Sequence, residues 1–440
     1  MISKFIDAAS KNQKIVVTDK HQLHRDVFFQ EQCQDTSTKL NTNIAIAFKS
    51  CADLIQALNK VDSNVETLLL LSPTLSKPVA QSLMQQAGTK KLYADNDIFG
   101  AHDSLETLLS KPTGTMKSPT FDTIWLLATS GTTDRPKLVP HSLASLTRTV
   151  RIAKKASTFV WGQLYDNYRF AGMQVILQAL AGQSILVSPA LDLPLCKKLE
   201  LFAQEKVNAL SATPTLWRKI LMTDGAKKLK LLSITLGGEI ADASILKTLK
   251  VYYPEAKIRH IYASTEAGAG FSVSDGLPGF PTSFLDDGFN DIKIKIVDDI
   301  LYIQNKLVSG SYIGDGSTFV DEDKYVNTGD RVQVKQDRVY FLGRLSGIIN
   351  VGGDKVSPET IEIILNGVDG VSLSRVYGKK SPLTGELVVA EIIASENQNQ
   401  MALQKELIQT CKNKLEPYQR PIAYRFVDKI KISENGKVVR

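Results

Sequence analysis

The sequence predicts an α/β fold made of two unequal parts. Three observations carry that expectation. Short β-type runs alternate with helical patterns through the first ~290 residues, a period-two pattern then takes over, and the last ~95 residues return to a compact mixture of strand and helix signals. In order, Ile44–Phe48 reads as a strand and Ala52–Leu58 as a helix, then Thr67–Leu71 as a strand and Pro78–Gln86 as a helix. Farther on, 208–213, 231–236 and 257–262 read as strands, separated by helices near 216–222 and 243–252, the second with Asp242 as N-cap. Alternation of this kind predicts layered, mostly parallel sheets covered by helices. Residues 292–303 alternate around Asp298-Asp299, and 331–342 around Lys335-Gln336-Asp337, which predicts antiparallel hairpins. A helix near 358–365, strands near 374–377 and 387–394, and a helix near 398–415 complete a small α+β unit. The predicted division is 1–343, with a β-rich subdomain over about 291–343, and 344–440, the boundary falling at Gly343–Ser346.

Composition narrows the function. With 440 residues, 43% hydrophobic and 22% charged, the chain is neither disordered nor of low complexity. No apolar run reaches the ~18 residues of a spanning helix, and the first ten residues lack a secretory signal pattern. The four cysteines (33, 51, 196 and 411) and the five histidines are scattered, which argues against a zinc site or disulfide framework and fits a reducing cytoplasm. Net charge is +7. The last forty residues hold nine Lys/Arg against four Asp/Glu, an excess of five. Such a segment suits a polyanion such as a nucleotide, coenzyme A or an acidic carrier protein, or is a solvated face. No nucleic-acid partner and no membrane insertion are expected.

The strongest local signal runs from Leu126 to Ser142. An apolar strand enters Thr129-Ser130-Gly131-Thr132-Thr133, Lys137 follows, and a helix with Leu143, Leu146 and Val150 on one face comes next. Small residues let backbone N–H groups approach phosphate oxygens, hydroxyls add donors, and the lysine adds charge. A Walker-type loop fits poorly, because Pro136 stands where glycine is needed and Leu138 follows the lysine. Farther along lie Leu236-Gly237-Gly238-Glu239, Ile261-Tyr262-Ala263-Ser264-Thr265-Glu266, Asn327-Thr328-Gly329-Asp330, the stretch from Gly343-Arg344 to Glu362, and Glu434-Asn435-Gly436-Lys437-Val438-Val439-Arg440. Thr328-Gly329-Asp330 alone reads as a turn, here between two hairpins.

Taken in order, these segments resemble the adenylate-forming superfamily: acyl- and aryl-CoA synthetases, peptide-synthetase adenylation domains and luciferases. The resemblance spans about Phe121 to Arg440. Asp134, Leu138, Ser346 and Asn350 depart from its motifs, the last two at the hinge acid and a lysine. The resemblance implies ATP and Mg²⁺ as reactants. Thr129, Ser130, Gly131, Thr132, Thr133 and Lys137 would hold phosphates. Gly238, Glu239, Tyr262, Ala263 and Ser264 would line the nucleotide and acyl sites, Tyr262 flanking adenine. Thr265 would bond the α-phosphate, Glu266 would hold magnesium, Asp330 and Arg344 would fix the ribose, and Lys437 would be the adenylation lysine.

The implied reaction activates a small carboxylic acid as its acyl-adenylate, releasing pyrophosphate. The acyl group then passes to a phosphopantetheine thiol of coenzyme A or an acyl carrier protein. The small domain would be mobile, withdrawing Lys437 and presenting Val351-Gly352-Gly353 between the two steps. Tyr168, Arg169 and Phe170 are candidates for the acyl-pocket wall and hint at an aromatic or hydroxylated acid. The alternatives are a nucleotide-binding scaffold or regulator without turnover, and a phosphotransferase, which Pro136 and Leu138 disfavour.

Overall fold

The computed structural model describes residues 2, 14–19, 22–24, 42–95, 97–100, 103–110, 122–129, 136–152, 158–381, 384–433 and 436–439. Two sheets of the first 273 residues are mainly parallel. One has five strands: Lys91–Ala94, Asn43–Ala47, Thr67–Leu70 and Ile124–Ala128 run parallel, and Leu138–His141 returns antiparallel at the edge. Its central strands are apolar at nearly every position, as expected for sheets covered on both faces. The other has eight strands, in the order Gly268–Val273, Lys257–Ser264, Ser233–Gly237, Ala209–Ala212, Val160–Gly162, Ile185–Val187, Lys14–Val17, Gln22–His24. Only its outermost pairs are antiparallel.

Helices cover these sheets as the periodicity predicts. Ala243–Tyr252 starts where Asp242 accepts the Ile245 amide at 3.1 Å, and the same carboxylate forms a buried ion pair with Arg218 at 2.7 Å. Pro214–Leu221 is capped by Thr213, whose hydroxyl oxygen accepts the Leu216 amide. The helix after the Leu126–Ser142 segment is only Leu143–Thr147, and Val150 packs on the core beyond its end. The sequence reading carried the loop straight into that helix. Instead Leu138–His141 first pairs with Ile124–Ala128, making the segment a hairpin.

A third, antiparallel sheet contains Phe280–Pro281, Arg338–Arg344, Tyr325–Lys335, Ile300–Gln304 and Lys293–Val297. Both predicted hairpins form here. Asp298 and Asp299 carry φ of 49° and 61°, the left-handed pair a tight two-residue turn requires. Thr328-Gly329-Asp330 is not a turn between hairpins. It lies within the eleven-residue strand Tyr325–Lys335, where the register against Ile300–Gln304 jumps from Asn327 to Arg331. Gly329, at φ 67°, makes that bulge, which re-aims the following carboxylate.

The carboxy-terminal part forms a separate sheet domain: Asp354–Val356, Ile349–Val351, Gly385–Ala394, Val371–Ser381 and, parallel to Gly385–Ala394, Ala423–Phe426. Helices Pro358–Asn366 and Gln400–Lys414 pack on it through Ile361, Leu365, Leu403, Leu407 and Cys411. Among the described residues no helix is long and apolar enough to cross a membrane.

Candidate active site

A cavity of about 1320 Å³ runs between the carboxyl ends of the eight-stranded sheet, the antiparallel sheet and the carboxy-terminal domain. Parallel sheets commonly present ligand crevices at that end.

At its centre the chain turns sharply after Ser233–Gly237. Gly238 has φ 82°, and a Cβ there would meet the Lys437 Cε at 3.2 Å. Glycine is therefore needed twice, for the turn and for the passage of the lysine stem. The Thr213 hydroxyl donates to the Gly436 carbonyl. Glu239 accepts the Thr215 amide at 3.0 Å with one oxygen and the Val438 amide at 3.2 Å with the other. The tail is also closed on itself, Ser433 accepting the Gly436 amide at 2.9 Å. Lys437 is half-buried. Enclosure lowers its pKa from the ordinary lysine value, with Glu239 acting in the opposite direction and Arg344 adding to the fall. Sequence reasoning placed Glu239 beside the nucleotide. Its carboxylate is committed to the tail.

A second group lies along Lys257–Ser264. The Tyr262 ring stacks on Phe271 at 5.2 Å and Phe341 at 5.3 Å, and its hydroxyl donates to Asp330. The other Asp330 oxygen accepts Arg344 Nε at 2.8 Å, the two residues facing each other across paired strands. Burial pushes the Tyr262 phenol well above its usual range, and the Asp330 carboxylate pushes it further. Burial works against the Arg344 cation, but Asp330 more than offsets it and holds its pKa up. Ala263 and Ser264 line the cavity beside them, and the Ser264 hydroxyl accepts the Ala267 amide.

The third group is the phosphate-loop candidate. Thr129 and Lys137 clasp its ends: the Thr129 amide donates to the Lys137 carbonyl at 2.8 Å. Ser130, Gly131, Thr132 and Thr133 lie outside the described residues. Lys137 Nζ sits 4.4 Å from the Tyr312 ring centroid and 4.0 Å from Asp315. The Tyr312 hydroxyl donates to Glu266 at 3.2 Å. Tyr312 thus joins the expected phosphate lysine to the expected metal carboxylate. The sequence offered no signal for it. Among the described residues no cluster of three or more His, Cys, Asp or Glu side chains forms a metal cage. Glu266 lines the cavity, and one such carboxylate fits Mg²⁺, which takes few protein ligands and completes its shell with phosphate oxygens and water.

Thr265 is held by a residue of the Leu126–Ser142 segment to which the sequence reading gave no role. Buried His141 donates Nε2–H to the Thr265 carbonyl at 2.9 Å, and its Nδ1 accepts the Ser145 hydroxyl at 3.0 Å. Burial lowers its pKa to about 4, the Thr265 bond opposing, so the ring is neutral.

The acyl-wall candidates separate. Phe170 and Arg169 line the cavity, but Tyr168 does not. Its hydroxyl bonds both the amide and the carbonyl of Phe48, and burial holds its phenol neutral, so it pins one sheet to the other. Tyr165, three residues earlier, takes the place on the wall. Arg169 is turned to the base of the phosphate loop, donating to the carbonyls of Ala128 at 3.0 Å and Thr129 at 3.3 Å.

The sequence matches the family profile of AMP-binding enzymes over residues 28–301, and that of the AMP-binding enzyme C-terminal domain over residues 360–437. The chain belongs to the AMP-binding enzyme family. This places the AMP-binding enzyme in the adenylate-forming superfamily, and the match begins well before the first motif near Phe121. The AMP-binding enzyme is 24% identical to VraA of Staphylococcus haemolyticus over 238 residues, 53% of this chain and half the length of that relative. It is 24% identical over 413 residues to FadD13 of Mycobacterium tuberculosis, named a long-chain-fatty-acid–CoA ligase, covering 86% of this chain and 78% of that one. Its fold matches the crystal structure of the anthranilate CoA ligase AuaEII in complex with anthranoyl-AMP, with a TM-score of 0.79 at 16% identity, over 99% of this chain and 95% of that one. That likeness bears out the predicted fold class.

Proposed function

We propose that this AMP-binding enzyme is an ATP-dependent acid–thiol ligase. It activates a small carboxylic acid as the acyl-adenylate and then passes the acyl group to a phosphopantetheine thiol, that of coenzyme A first among the acceptors. The observation that carries the reading is the docking of Lys437 against Gly238, in the same cavity as the Tyr262–Asp330–Arg344 group.

In the first step a substrate carboxylate oxygen bonds to the α-phosphorus of ATP. The bond from that phosphorus to the bridging oxygen breaks, and pyrophosphate leaves with the electron pair. Negative charge grows on the phosphate oxygens, so fixed positive charge is the main requirement. Lys437 bridges the carboxylate and the α-phosphate. Lys137, held at the loop by the Thr129 clasp, neutralises the leaving group. Asp330 exchanges its contacts with Tyr262 and Arg344 for the ribose hydroxyls, and Arg344 stays beside them. Thr265 presents its hydroxyl to the α-phosphate while His141 fixes its carbonyl. Glu266 would hold Mg²⁺, which when bound supplies charge neutralisation to the phosphates.

In the second step the thiol sulfur attacks the anhydride carbonyl, AMP leaves with the bonding pair, and the thiol proton passes to solvent. Lysine and thiol cannot occupy the same side of one carbon together. Residues 344–440 therefore move as a unit about Gly343–Ser346 relative to 1–343. Gly343, at φ 127°, and the exposed turn at Gly352-Gly353 suit that motion. The names of FadD13 and AuaEII favour coenzyme A as acceptor, and the basic last forty residues suit its phosphates.

Acid-dependent exchange of labelled pyrophosphate into ATP tests the first step. Exchange is expected with at least one acid, and its absence across a broad panel would leave the scaffold reading in its place. Coenzyme A and a holo carrier protein, added in parallel, identify the acceptor by thioester formation.

A further inference from the structure

The acyl side of the cavity has a charged far end. Its floor is the face of the eight-stranded sheet bearing Ser211, Ser233, Thr235 and Arg259. Paired registers put Arg259 level with Thr235 and Ser211, and Arg259 Nη2 donates to the Ser233 hydroxyl at 3.1 Å. Ser233 lies four residues before Gly237, roughly 13 Å along the strand from the turn where the lysine docks. Gln174 and Gln178 face this floor from the helix Phe170–Ala181. Gln174 donates to the Leu146 carbonyl at 2.6 Å and Ser233 accepts from Arg259, so the floor is polar but largely paired, and the guanidinium is its unsatisfied group.

Arg259 itself is half-buried and incompletely satisfied. Its Nε is buried with no hydrogen-bond partner, and among the described residues no carboxylate forms an ion pair with it. Burial, and after it the like charge of Arg151 at the same end of the cavity, lowers its pKa. A guanidinium in that setting gains most from an anion able to take two parallel N–H bonds.

We infer that Arg259 is a specificity residue for a second anionic group on the acid substrate, so that the substrate is a dicarboxylic acid or an acid with a comparable distal anion. This rests on the acid-activating reading above. The same chemistry could come from the phosphates of the thiol donor, and the experiment separates the two.

Pyrophosphate exchange is measured for α,ω-dicarboxylic acids against chain-matched monocarboxylic acids, with wild type, Arg259→Gln and Arg259→Lys. Wild type is expected to favour the diacid in kcat/KM at least tenfold, Arg259→Gln to lose that preference, and Arg259→Lys to recover part of it. Equal or reversed preference in wild type overturns the inference, as does a preference that survives in Arg259→Gln. A rise only in the KM for coenzyme A, with acid preference intact, assigns Arg259 to the thiol donor and overturns it too. If no acid supports exchange, the reaction itself was misread. Calorimetric titration of the same diacids into wild type and Arg259→Gln then decides the site alone: binding lost in the variant sustains it, and equal or absent binding sinks it.

Discussion

The Thr213 hydroxyl donates to the Gly436 carbonyl across 223 positions of sequence, and this contact seats Lys437 against Gly238. Together with Glu239, which accepts the Val438 amide, this side chain of the large domain holds the tail in the cleft. The same hydroxyl caps the helix Pro214–Leu221, so the docking point is rigid before the tail arrives.

Removing the lysine should separate the two half-reactions. Lys437→Ala is expected to lower acid-dependent pyrophosphate exchange by about a hundredfold or more. Thioester formation from supplied acyl-adenylate should survive. Equal loss of both would refute the division of roles.

Weakening the dock should act in the same direction but less. Thr213→Val removes one hydrogen bond to the tail and a helix cap, each of about 1 kcal/mol. Exchange should fall about five- to tenfold while transfer from supplied adenylate holds or rises. Thr213→Ser should stay near wild type, and an exchange rate in Thr213→Val equal to wild type would show that the contact does not seat the lysine.

Tyr312 should tune the metal requirement. Tyr312→Phe keeps the ring under Lys137 but loses the bond to Glu266. Titrating Mg²⁺ in the exchange assay should give a half-saturation raised about threefold. Tyr312→Leu, which also removes the ring, should raise it further and increase the KM for ATP. Unchanged Mg²⁺ dependence in both variants would remove Tyr312 from the site.

His141 sets a pH dependence of stability. Its folded pKa of about 4 lies below the ordinary histidine value of 6.5. Between those values the unfolded chain takes a proton that the folded chain refuses. The His141 contribution is therefore complete above pH 6.5 and is lost as pH falls toward 4, by about 3 kcal/mol in all. Urea unfolding at pH 7 and pH 5, in wild type and His141→Gln, should show a smaller loss in the variant. Equal losses would mean that the ring is not held neutral.

Tyr168 should behave as a core residue. Tyr168→Phe leaves the Phe48 amide and carbonyl without their partner and should destabilise the fold by about 1–3 kcal/mol in denaturant titration. Exchange per folded molecule, and its order of preference among acids, should not move. A changed acid preference would return Tyr168 to the pocket wall.

The sequence by itself determined the local elements and the order of the motifs. Apolar spacing marked Thr67–Leu70 and Ala243–Tyr252, the Asp298-Asp299 pair marked its turn, and the segments around Thr129, Thr265, Asp330, Arg344 and Lys437 appeared in sequence order. Those features depend on neighbours within one turn or one hairpin, which the chain carries with it. Tertiary structure alone decided which groups meet. Nothing near Thr213 or Tyr312 in sequence announces Gly436 or Glu266, because those bonds depend on the path of the whole backbone. It also decided the faces: Tyr165 and Tyr168 look alike in sequence, yet one borders the cavity and the other joins two sheets. The position of Arg259 was set in the same way, by strand register, which places a charge at the far end of a pocket that local composition cannot locate.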